Sequence, residues 1–325
     1  MSGRKPAVLI VSNSGDVHVP LVSRRLEALG VDHVLLDTFT FGTTTTANFE
    51  IGARTGIELK VGTRRISFDE ITAVWYRRPE MPRVSEAWSR EAQTFAQQEQ
   101  KAFLDGILTQ LTCRWVSPIQ AIRHAGNRPV QLSEARRLGF TVPTTLISQD
   151  PARIQRFRQA VGVPLVAKVV GKGPPRAETI EGQYVVFTQK LDDKVLDDQA
   201  TLAACVALYQ PYVHKKFELR VTVVGDEVFA CRIDSQNSVK TRVDWRNYDL
   251  KNPPHSAYEL DGSTRQRCLE LVKSLGLNFG AIDLIVTPAD EVVFLEINPN
   301  GQWGWIEQLT KMPIALAHAN LLSAA

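Results

Sequence analysis

Two apolar runs near the C-terminal end, each interrupted by an acid, constrain the fold of this chain most. Residues 281–287 and 292–297 alternate as β-strands do and flank a short linker of turn-forming residues. A turn centred in the middle of that linker places Asp283 directly opposite Glu296 on the neighbouring strand. Asn298 shares the face of Glu296, because side chains two residues apart on a strand point the same way. The sequence therefore predicts a hairpin with three oxygen-bearing side chains on one face.

The chemistry of this patch indicates a cation. Two carboxylates side by side repel each other, and a bound metal ion relieves that repulsion. Hard oxygen ligands suit Mg²⁺, which usually takes one or two protein carboxylates and fills its other positions with water and nucleotide phosphates. The pattern thus favours magnesium and ATP. The same sequence pattern is also expected if Asp283 and Glu296 are solvent-facing acids and Asn298 forms a turn.

Lys168 is a basic residue that fits such a nucleotide site. It lies in the apolar run 165–170, where an unpaired ammonium is costly, and it precedes a glycine-rich segment, 171–176, that can fold over phosphates. A lysine on an edge strand, with its head group in water, explains the same position. The segment matches neither the Walker pattern nor GxGxxG, so its composition does not decide between the two explanations.

A second hairpin carries another basic candidate. Residues 217–224 and 228–233 read as strands about a Gly-Asp pair that favours a tight turn. Glu218 and Arg220 share one face of the first strand. The planar fork of Arg220 suits an oxyanion such as a γ-phosphate or an acyl phosphate, and a cross-strand ion pair with an acid suits it equally. The linker 210–213 before this hairpin can present backbone groups to an adenine edge.

The rest of the chain reads as an α/β protein. Its opening is predicted to be β-α-β, with elements over residues 6–13, 17–29 and 31–37. Short antiparallel strands are expected within residues 47–68, after a threonine-rich loop at 43–46. The apolar spacing from Val84 to Leu111 predicts one long helix.

Composition excludes several classes of protein. The chain has 325 residues, 44% of them apolar, and a net charge of +3, which is too balanced to indicate a nucleic-acid-binding surface. No apolar run approaches the roughly 20 residues of a membrane span, and the N-terminal run is too short for a signal peptide. The four cysteines are far apart, which disfavours a disulfide framework and a zinc site. We expect a cytoplasmic protein with no nucleic-acid and no membrane partner.

Several segments together resemble a known family, the ATP-grasp ligases. These segments are Asn127-Arg128, Lys168, Gln210 to Val213, Glu218-Leu219-Arg220, Asn278 to Asp283, and Leu295 to Trp303. More narrowly, residues 217–225, 234–246 and 298–307 resemble the ribosomal-peptide maturases that make microviridins and other graspetides. The narrower resemblance covers most of residues 210–310, whereas the N-terminal third matches more loosely, chiefly through Val74 to Pro79.

This resemblance implies an α/β architecture with the ATP-grasp fold. An N-terminal pre-ATP-grasp α/β domain would span residues 1–117 and a central lid subdomain residues 118–209. A C-terminal subdomain that binds ATP and Mg²⁺ would span residues 210–325. The nucleotide would lie between the last two units, and residues 171–200 would act as a lid that keeps water from the reacting groups.

The resemblance also implies roles for single residues. Asp283, Glu296 and Asn298 match the magnesium ligands of the family, and Arg220 would lie near the reacting phosphate. These four residues form the implied catalytic set. Arg128 stands where the family has a lysine, which keeps the charge and changes the geometry. The implied nucleotide-binding residues are Arg128, Lys168, Gln210, Tyr212, Val213 and Glu218.

The implied reaction joins a carboxylate to a second side chain. ATP phosphorylates an Asp or Glu side chain of a ribosomally made precursor peptide, and a Ser or Thr hydroxyl or a Lys amine attacks the acyl phosphate. An ester or amide ring closes, and ADP and phosphate are released. The precursor would have a leader and an acidic core, and a homodimer is implied because relatives are often dimers. Our candidates for contacts with the peptide are Arg78, Arg232, Asp234, Asp244 and Arg246.

Three other functions are compatible with this amino-acid sequence. A RimK-like glutamate or amino-acid ligase would modify a protein tail or a small molecule and would make a linear peptide bond. A small-molecule kinase on the same fold would release a stable phosphorylated product. A non-enzymatic nucleotide-binding or peptide-binding module is the third, and as a pure peptide binder it would keep its function without the carboxylates of Asp283 and Glu296.

Overall fold

The structure is a computed structural model of the chain. It describes residues 7–52, 56–171, 177–179, 182–184, 188–237 and 254–324. Within those ranges, no helix is both long enough and apolar enough to cross a lipid bilayer. The strands in the described part of the chain form five sheets, among them a four-stranded parallel sheet at the N-terminal end and a five-stranded antiparallel sheet at the C-terminal end.

The N-terminal sheet has the strand order β2-β1-β6-β7 and is parallel throughout. Every residue of β1 is buried, as expected for an apolar strand covered on both faces. A small antiparallel sheet, β3-β4-β5, is inserted between β2 and β6. The elements are β1 (Ala7–Ser12), α1 (Val19–Ala28), β2 (His33–Asp37), β3 (Thr45–Glu50), β4 (Gly56–Val61), β5 (Arg64–Ser67), β6 (Ile71–Tyr76), α2 (Arg90–Leu108) and β7 (Arg114–Val116).

Two boundaries in this part differ from the sequence-based expectation. Strand β3 begins at Thr45, inside the run predicted as a loop, because Thr45 and Thr46 pair with Val61 and Lys60 of β4. Helix α2 does not extend back to Val84. Its N-cap is Ser89, whose hydroxyl accepts a hydrogen bond from the Ala92 backbone N–H at 3.2 Å, a favourable helix start.

The middle of the chain forms a smaller sheet with the order β12-β9-β13-β8. Strand β9 ends at Lys168, two residues earlier than predicted, and β13 includes Gln210 and Pro211, which were predicted to form part of a linker. A separate small core holds this unit together. The elements are α3 (Ile119–Ala125), α4 (Arg128–Arg137), β8 (Leu146–Ser148), α5 (Pro151–Val161), β9 (Leu165–Lys168), β10 (Ala177–Thr179), β11 (Gly182–Tyr184), β12 (Gln189–Lys190), α6 (Asp193–Asp197), α7 (Gln199–Ala204) and β13 (Ala207–Pro211).

The C-terminal sheet is antiparallel and has the order β16-β15-β14-β17-β18. Its two central strands, β14 and β17, are buried along their whole length. Strand β16 pairs with β15 at one edge of this sheet. The elements are β14 (Phe217–Val224), β15 (Glu227–Ile233), β16 (His255–Tyr258), α8 (Gly262–Ser274), β17 (Phe279–Val286), β18 (Val292–Asn298), α9 (Gly304–Thr310) and α10 (Ile314–Ser323).

The C-terminal helix α10 joins the two large sheets. It packs against α1 and β6 of the N-terminal part and against β14 of the C-terminal part. Its fully buried His318 lies among the rings of Trp75, Phe279 and Trp303, at centroid distances of 5.4, 5.0 and 5.0 Å. Because residues from both sheets share this apolar cluster, the N-terminal part is fixed against the strands that carry the predicted site.

Candidate active site

A row of charged side chains crosses the C-terminal sheet from β14 to β18. Arg220 on β14 lies directly opposite Asp283 on β17, and Asp283 lies directly opposite Glu296 on β18. All three are buried, with 5%, 6% and 9% of their surface exposed, so the alternative of solvent-facing acids is wrong. Arg220 Nη1 lies 2.8 Å from each of the two carboxylate oxygens of Asp283. The cross-strand ion pair left open for Arg220 is therefore present.

Asn298 completes the predicted oxygen patch. Its Nδ2 donates a hydrogen bond to Glu296 Oε1 at 2.9 Å, which places the amide on the same face as the two carboxylates. The predicted opposition of Asp283 and Glu296 is thus confirmed, and the three side chains lie together. Their roles as metal ligands remain a prediction.

Arg128 lies at the end of the row next to Glu296. It is the first residue of α4, and its Nη2 forms an ion pair with Glu296 Oε2. The charges along the row alternate as positive, negative, negative, positive, from Arg220 through Asp283 and Glu296 to Arg128. Each carboxylate has a guanidinium partner, which offsets much of the cost of placing two acids next to each other in a buried site.

The donor set fits a hard divalent cation. Two carboxylates and one amide oxygen are ligands of the kind that Mg²⁺ takes while its remaining positions go to water and phosphate. Among the described residues, no group of three or more His, Cys, Asp or Glu side chains is placed so that it could hold a metal ion. Cys231 lies opposite Arg220 on β15, and burial raises the pKa of its thiol to about 12. That thiol stays protonated at neutral pH.

Lys168 and Gln210 are held together at the strand pair β9–β13. Lys168 Nζ donates to Gln210 Oε1 at 3.0 Å, and Gln210 Nε2 donates to Thr145 Oγ1 at 2.8 Å. Gln210 is buried and Lys168 is half-buried. The lysine is thus not simply an edge residue with its head group in water, because its ammonium group is fixed by a buried amide.

Tyr212 and Val213 follow directly after β13 and are half-buried. The Tyr212 backbone N–H donates to Pro164 O at 2.8 Å, which holds the start of the linker against the turn before β9. The ammonium of Lys190 lies 4.3 Å from the centroid of the Tyr212 ring. The adenine-binding role predicted for Tyr212 and Val213 is compatible with this position and stays a prediction.

Glu218 belongs to a buried polar group that includes a residue the sequence analysis missed. Lys215 Nζ forms an ion pair with Glu218 Oε1, and Ser235 Oγ donates to the same oxygen at 3.1 Å. All three side chains are buried. Lys215 lies outside a regular strand, so alternation could not indicate which of the neighbouring Lys215 and Lys216 would point inward.

The sequence patterns also gave no indication of a buried cluster of Asp16, His18 and Arg77 in the N-terminal part. His18 Nδ1 lies 2.7 Å from Asp16 Oδ1, and His18 Nε2 accepts the backbone N–H groups of Trp303 and Gly304 at 3.2 and 3.0 Å. Since Nε2 is an acceptor, the ring proton is assigned to Nδ1 and the imidazole is neutral. Arg77 Nε lies 3.3 Å from Asp16 Oδ2. Asp16 and His18 lie just before α1, with His18 as its N-cap, and Arg77 directly follows β6.

The ionisation of this cluster follows from its burial. Burial lowers the pKa of His18 below its ordinary value, which outweighs the opposite effect of the hydrogen bond to Asp16. Burial alone would raise the pKa of Asp16, but the hydrogen bonds from His18 and the charge of Arg77 lower it well below its ordinary value. Asp16 is therefore ionised and His18 neutral at neutral pH.

Arg77 fixes the loop that follows β18. Its Nη1 donates to Asn300 O at 2.6 Å and to Gly301 O at 3.0 Å. On the other side of that loop, Arg220 Nη2 donates to Gln302 O at 3.4 Å. A Cβ atom on Gly301 would lie 2.4 Å from Ala281 Cβ, so only glycine fits. The loop is held between one arginine of the N-terminal part and the arginine of the charged row.

Three of the residues predicted to contact a peptide, Arg78, Arg232 and Asp234, lie in the described part of the chain. Arg78 is exposed. Arg232 Nη2 pairs with Asp234 Oδ1 at 2.7 Å, and the Arg232 guanidinium lies over the Phe217 ring at 4.1 Å. Because Arg232 lies opposite Leu219 in the register, it is on the sheet face opposite to Arg220. Two further candidates, Asp244 and Arg246, lie outside the described residues.

Comparison with protein families gives two matches that cover most of the chain. Residues 7–123 match the family described as the MvdD pre-ATP grasp domain, and residues 130–322 match the RimK-like ATP-grasp domain. The chain belongs to the RimK-like ATP-grasp family. It is an ATP-grasp ligase, and the predictions of this fold and of an ATP-using enzyme are confirmed.

Solved structures of peptide-modifying ATP-grasp ligases are similar over nearly the whole chain. Macrocyclase MdnC of Microcystis aeruginosa MRC, bound with precursor peptide MdnA, has 31% identity and a TM-score of 0.87, over 97% of this chain and 99% of that chain. A RiPP-associated ligase of Chryseobacterium gregarium, in complex with ADP and a leader and core peptide, has 27% identity and a TM-score of 0.90, over 98% and 96%. Macrocyclase MdnB of Microcystis aeruginosa MRC has 26% identity and a TM-score of 0.83, over 98% and 100%.

No curated protein matches this ATP-grasp ligase. The resemblance to maturases of ribosomal peptides is nevertheless confirmed by the solved structures, two of which contain a precursor or a leader and core peptide. The charged row of the ligase lies in the part of the chain that matches the RimK-like ATP-grasp domain.

Proposed function

We propose that this ligase uses ATP and Mg²⁺ to close ester or amide macrocycles between side chains of a ribosomally made precursor peptide. The observation that carries the proposal is the row of Arg220, Asp283, Glu296 and Arg128, the first three of which are buried, with Asn298 beside it. Such a row supplies both oxygen ligands and phosphate-binding cations. The peptide complexes of MdnC and the Chryseobacterium gregarium ligase support the substrate class.

In this proposal, the nucleotide is bound by the charged row and by residues outside it. Asp283, Glu296 and Asn298 would hold Mg²⁺, which when bound neutralises charge on the phosphate oxygens. The guanidiniums of Arg220 and Arg128 bind phosphate oxygens, since an arginine fork suits a phosphate as well as a carboxylate. The other nucleotide contacts are assigned to Lys168, Gln210, Tyr212, Val213 and Glu218.

The first chemical step is phosphoryl transfer to the peptide. A carboxylate oxygen of an Asp or Glu side chain attacks the γ-phosphorus of ATP, the bond to the β,γ-bridging oxygen breaks, and ADP leaves. Little covalent chemistry is required of the protein in such a step, so its contribution is positioning and charge stabilisation. Arg220 is the cation assigned to the transferred phosphoryl group.

The second step closes the ring. A Ser or Thr hydroxyl, or a Lys amine, attacks the carbonyl carbon of the acyl phosphate, loses its proton, and displaces phosphate. The peptide thereby loses one water for each ring. Because water competes with the attacking group, residues 171–200 are assigned to a lid over the site. Arg78, Arg232, Asp234, Asp244 and Arg246 remain the candidates for peptide contacts.

The organisation of the enzyme is part of the same proposal. We divide the chain at residues 117 and 209 into a pre-ATP-grasp domain, a lid subdomain and a subdomain for Mg²⁺ and ATP. The described part of the chain contains four free cysteines and no disulfide, which favours a reducing compartment such as the cytoplasm. A homodimer, with no nucleic-acid and no membrane partner, completes the proposal.

Mass spectrometry of the peptide tests this function. A short acidic peptide, if an open reading frame beside the gene encodes one, is incubated with enzyme and Mg²⁺, with and without ATP. Loss of whole waters only when ATP is present is the expected result. A phosphate-sized gain in mass would replace the proposal with a kinase, and addition of an amino-acid mass would replace it with a RimK-like ligase.

Isotope transfer tests the acyl phosphate itself. If the Asp and Glu side chains of the peptide carry oxygen-18, one labelled oxygen per ring should appear in the released phosphate, because the carboxylate oxygen that attacked phosphorus leaves with it. Unlabelled phosphate accompanying ring closure would contradict the proposed order of steps.

A further inference from the structure

The buried side chain of Gln131 contacts Arg128 of the charged row and the backbone of Ile297, the residue next to Glu296. Gln131 lies near the start of α4 and is 2% exposed. Its Nε2 donates to Ala125 O at 2.6 Å and to Ile297 O at 2.8 Å. Its Oε1 accepts the Ile297 backbone N–H at 3.3 Å and Arg128 Nη1 at 3.0 Å. Both donor hydrogens and both acceptor positions of the amide are therefore used.

The contact with Ile297 fixes the backbone between two predicted metal ligands. Ile297 is flanked by Glu296 and Asn298, and its strand, β18, lies at the edge of the sheet. The Gln131 amide pairs with both the N–H and the C=O of Ile297, as a neighbouring strand would. An edge strand without such a partner leaves these groups unpaired. The two hydrogen bonds between Gln131 and Ile297 thus fix the backbone that connects Glu296 and Asn298.

The contact with Arg128 fixes the cation that pairs with Glu296. The same Oε1 that accepts the Ile297 N–H also accepts Arg128 Nη1, while Arg128 Nη2 pairs with Glu296 Oε2. We infer that Gln131 is a positioning residue that sets the spacing between Arg128 and the ligands on β18, and so the response of nucleotide binding to Mg²⁺. This inference rests on the proposed function of the site.

Calorimetric titration of the full chain with ADP at several Mg²⁺ concentrations tests the inference. In Gln131→Met, a side chain of similar length without polar groups, the affinity for ADP in the presence of Mg²⁺ should fall about tenfold or more, the range seen when partners of metal ligands are removed. The Mg²⁺ concentration needed for half-maximal enhancement should rise correspondingly. Gln131→Glu keeps the oxygen acceptors and loses both donated bonds, so it should show the same defect if Gln131→Met does not fold.

A matched control separates positioning from stability. Gln155 in α5 also donates from its side-chain amide to a backbone carbonyl, that of Leu196, in the small central core. Gln155→Met should lower the melting temperature and leave the Mg²⁺ response of ADP binding unchanged. If Gln131→Met or Gln131→Glu binds ADP with the wild-type dependence on Mg²⁺, the residue is only structural and the inference is wrong.

The same titration distinguishes this inference from the proposed function. Asp283→Asn removes a predicted ligand directly. If that variant keeps the wild-type Mg²⁺ response, the metal assignment of the site fails. If Asp283→Asn loses the response and the Gln131 variants keep it, the site assignment stands and only the role of Gln131 is rejected.

Discussion

Asp283 and Glu296 face each other because β18 contains one extra residue between Glu296 and the turn. Next to the turn, Val286 pairs with Val292 and Leu284 pairs with Phe294. Regular continuation would bring Leu295 opposite Asp283, but the register shifts there and Glu296 takes that position. Such a bulge re-aims a side chain at the point where it occurs. Without it, Glu296 would point to the opposite face of the sheet.

Replacing Gly301 should disturb the site although no charged residue is substituted. In Gly301→Ala, the new Cβ would lie 2.4 Å from Ala281 Cβ and 2.7 Å from Arg220 Nη2, so the loop or Arg220 must move. We expect kcat/KM to fall by about 100-fold, as for small misplacements of reacting groups. Steady-state kinetics of ADP release with the precursor peptide measures this.

A second glycine provides the control for that variant. Gly106 lies inside α2, and a Cβ there would meet no atom within 4 Å. Gly106→Ala should therefore raise the free energy of unfolding by about 0.5–1 kcal/mol, since alanine favours a helix interior, and should leave kcat/KM unchanged. Equal kinetics for the two alanine variants would contradict the close packing assigned to Gly301.

The neighbouring residues Arg77 and Arg78 should behave differently on substitution. Arg77→Met leaves the buried carboxylate of Asp16 without its cation and releases the carbonyls of residues 300–301. We expect the free energy of unfolding to fall by about 3–5 kcal/mol, as when one member of a buried ion pair is removed. Urea denaturation followed by fluorescence measures this change, and a wild-type midpoint would contradict the role assigned to Arg77.

Arg78→Met is the matched comparison and also tests a proposed peptide contact. Because Arg78 is exposed, its removal should change the free energy of unfolding by less than about 0.5 kcal/mol. If the residue binds acidic side chains of the precursor, KM for the peptide should rise while KM for ATP stays constant. An unchanged peptide KM would remove Arg78 from the candidate contacts.

Two buried histidines should make the stability of the enzyme depend on pH. Burial lowers the pKa of His318 well below the ordinary value of 6.5 and also lowers the pKa of His18. The unfolded chain therefore binds protons that the folded protein does not. Above about pH 6.5 both histidines are neutral in the folded and the unfolded state and do not reduce the free energy of unfolding. As the pH falls from there toward the folded pKa values, the free energy of unfolding decreases by about 1 kcal/mol per pH unit for each histidine.

Urea midpoints measured between pH 7.5 and pH 5 check this expectation. His318→Phe keeps an aromatic ring beside Trp303 and removes one of the two groups that titrate, so its midpoint should depend less steeply on pH than that of the wild-type protein. Equal slopes for the two proteins would show that His318 does not contribute to the pH dependence.

Much of the fold and the central pair of acids could be predicted from local sequence patterns. Alternating apolar residues predicted both C-terminal hairpins, and counting from the middle of the turn predicted that Asp283 opposes Glu296, as observed. The count gave the right pair although the register near the turn differs by one residue. The bulge at Leu295 restores the predicted pairing, because it adds back the one residue by which the register near the turn differs from the prediction. Neither the turn geometry nor the bulge could be recognised in the sequence.

Contacts between distant segments could not be predicted in this way. The cluster of Asp16, His18 and Arg77 depends on how the N-terminal sheet packs against residues 300–304, which local periodicity does not report. Gln131 was missed for the same reason, because its partner Ile297 is 166 residues away. A histidine or glutamine read alone gives no indication that its partner is a backbone group on another element.

The assignment of Asp283 and Glu296 to the catalysis of ring closure is tested most directly by the mass of the precursor peptide after reaction with matched variants. Asp283→Asn and Glu296→Gln should each reduce ATP-dependent loss of water by at least about 100-fold. Asp290→Asn, in the turn of the same hairpin and paired with Lys216 at the surface, should react like the wild-type enzyme. Ring closure at the wild-type rate by both Asp283→Asn and Glu296→Gln would contradict the central claim.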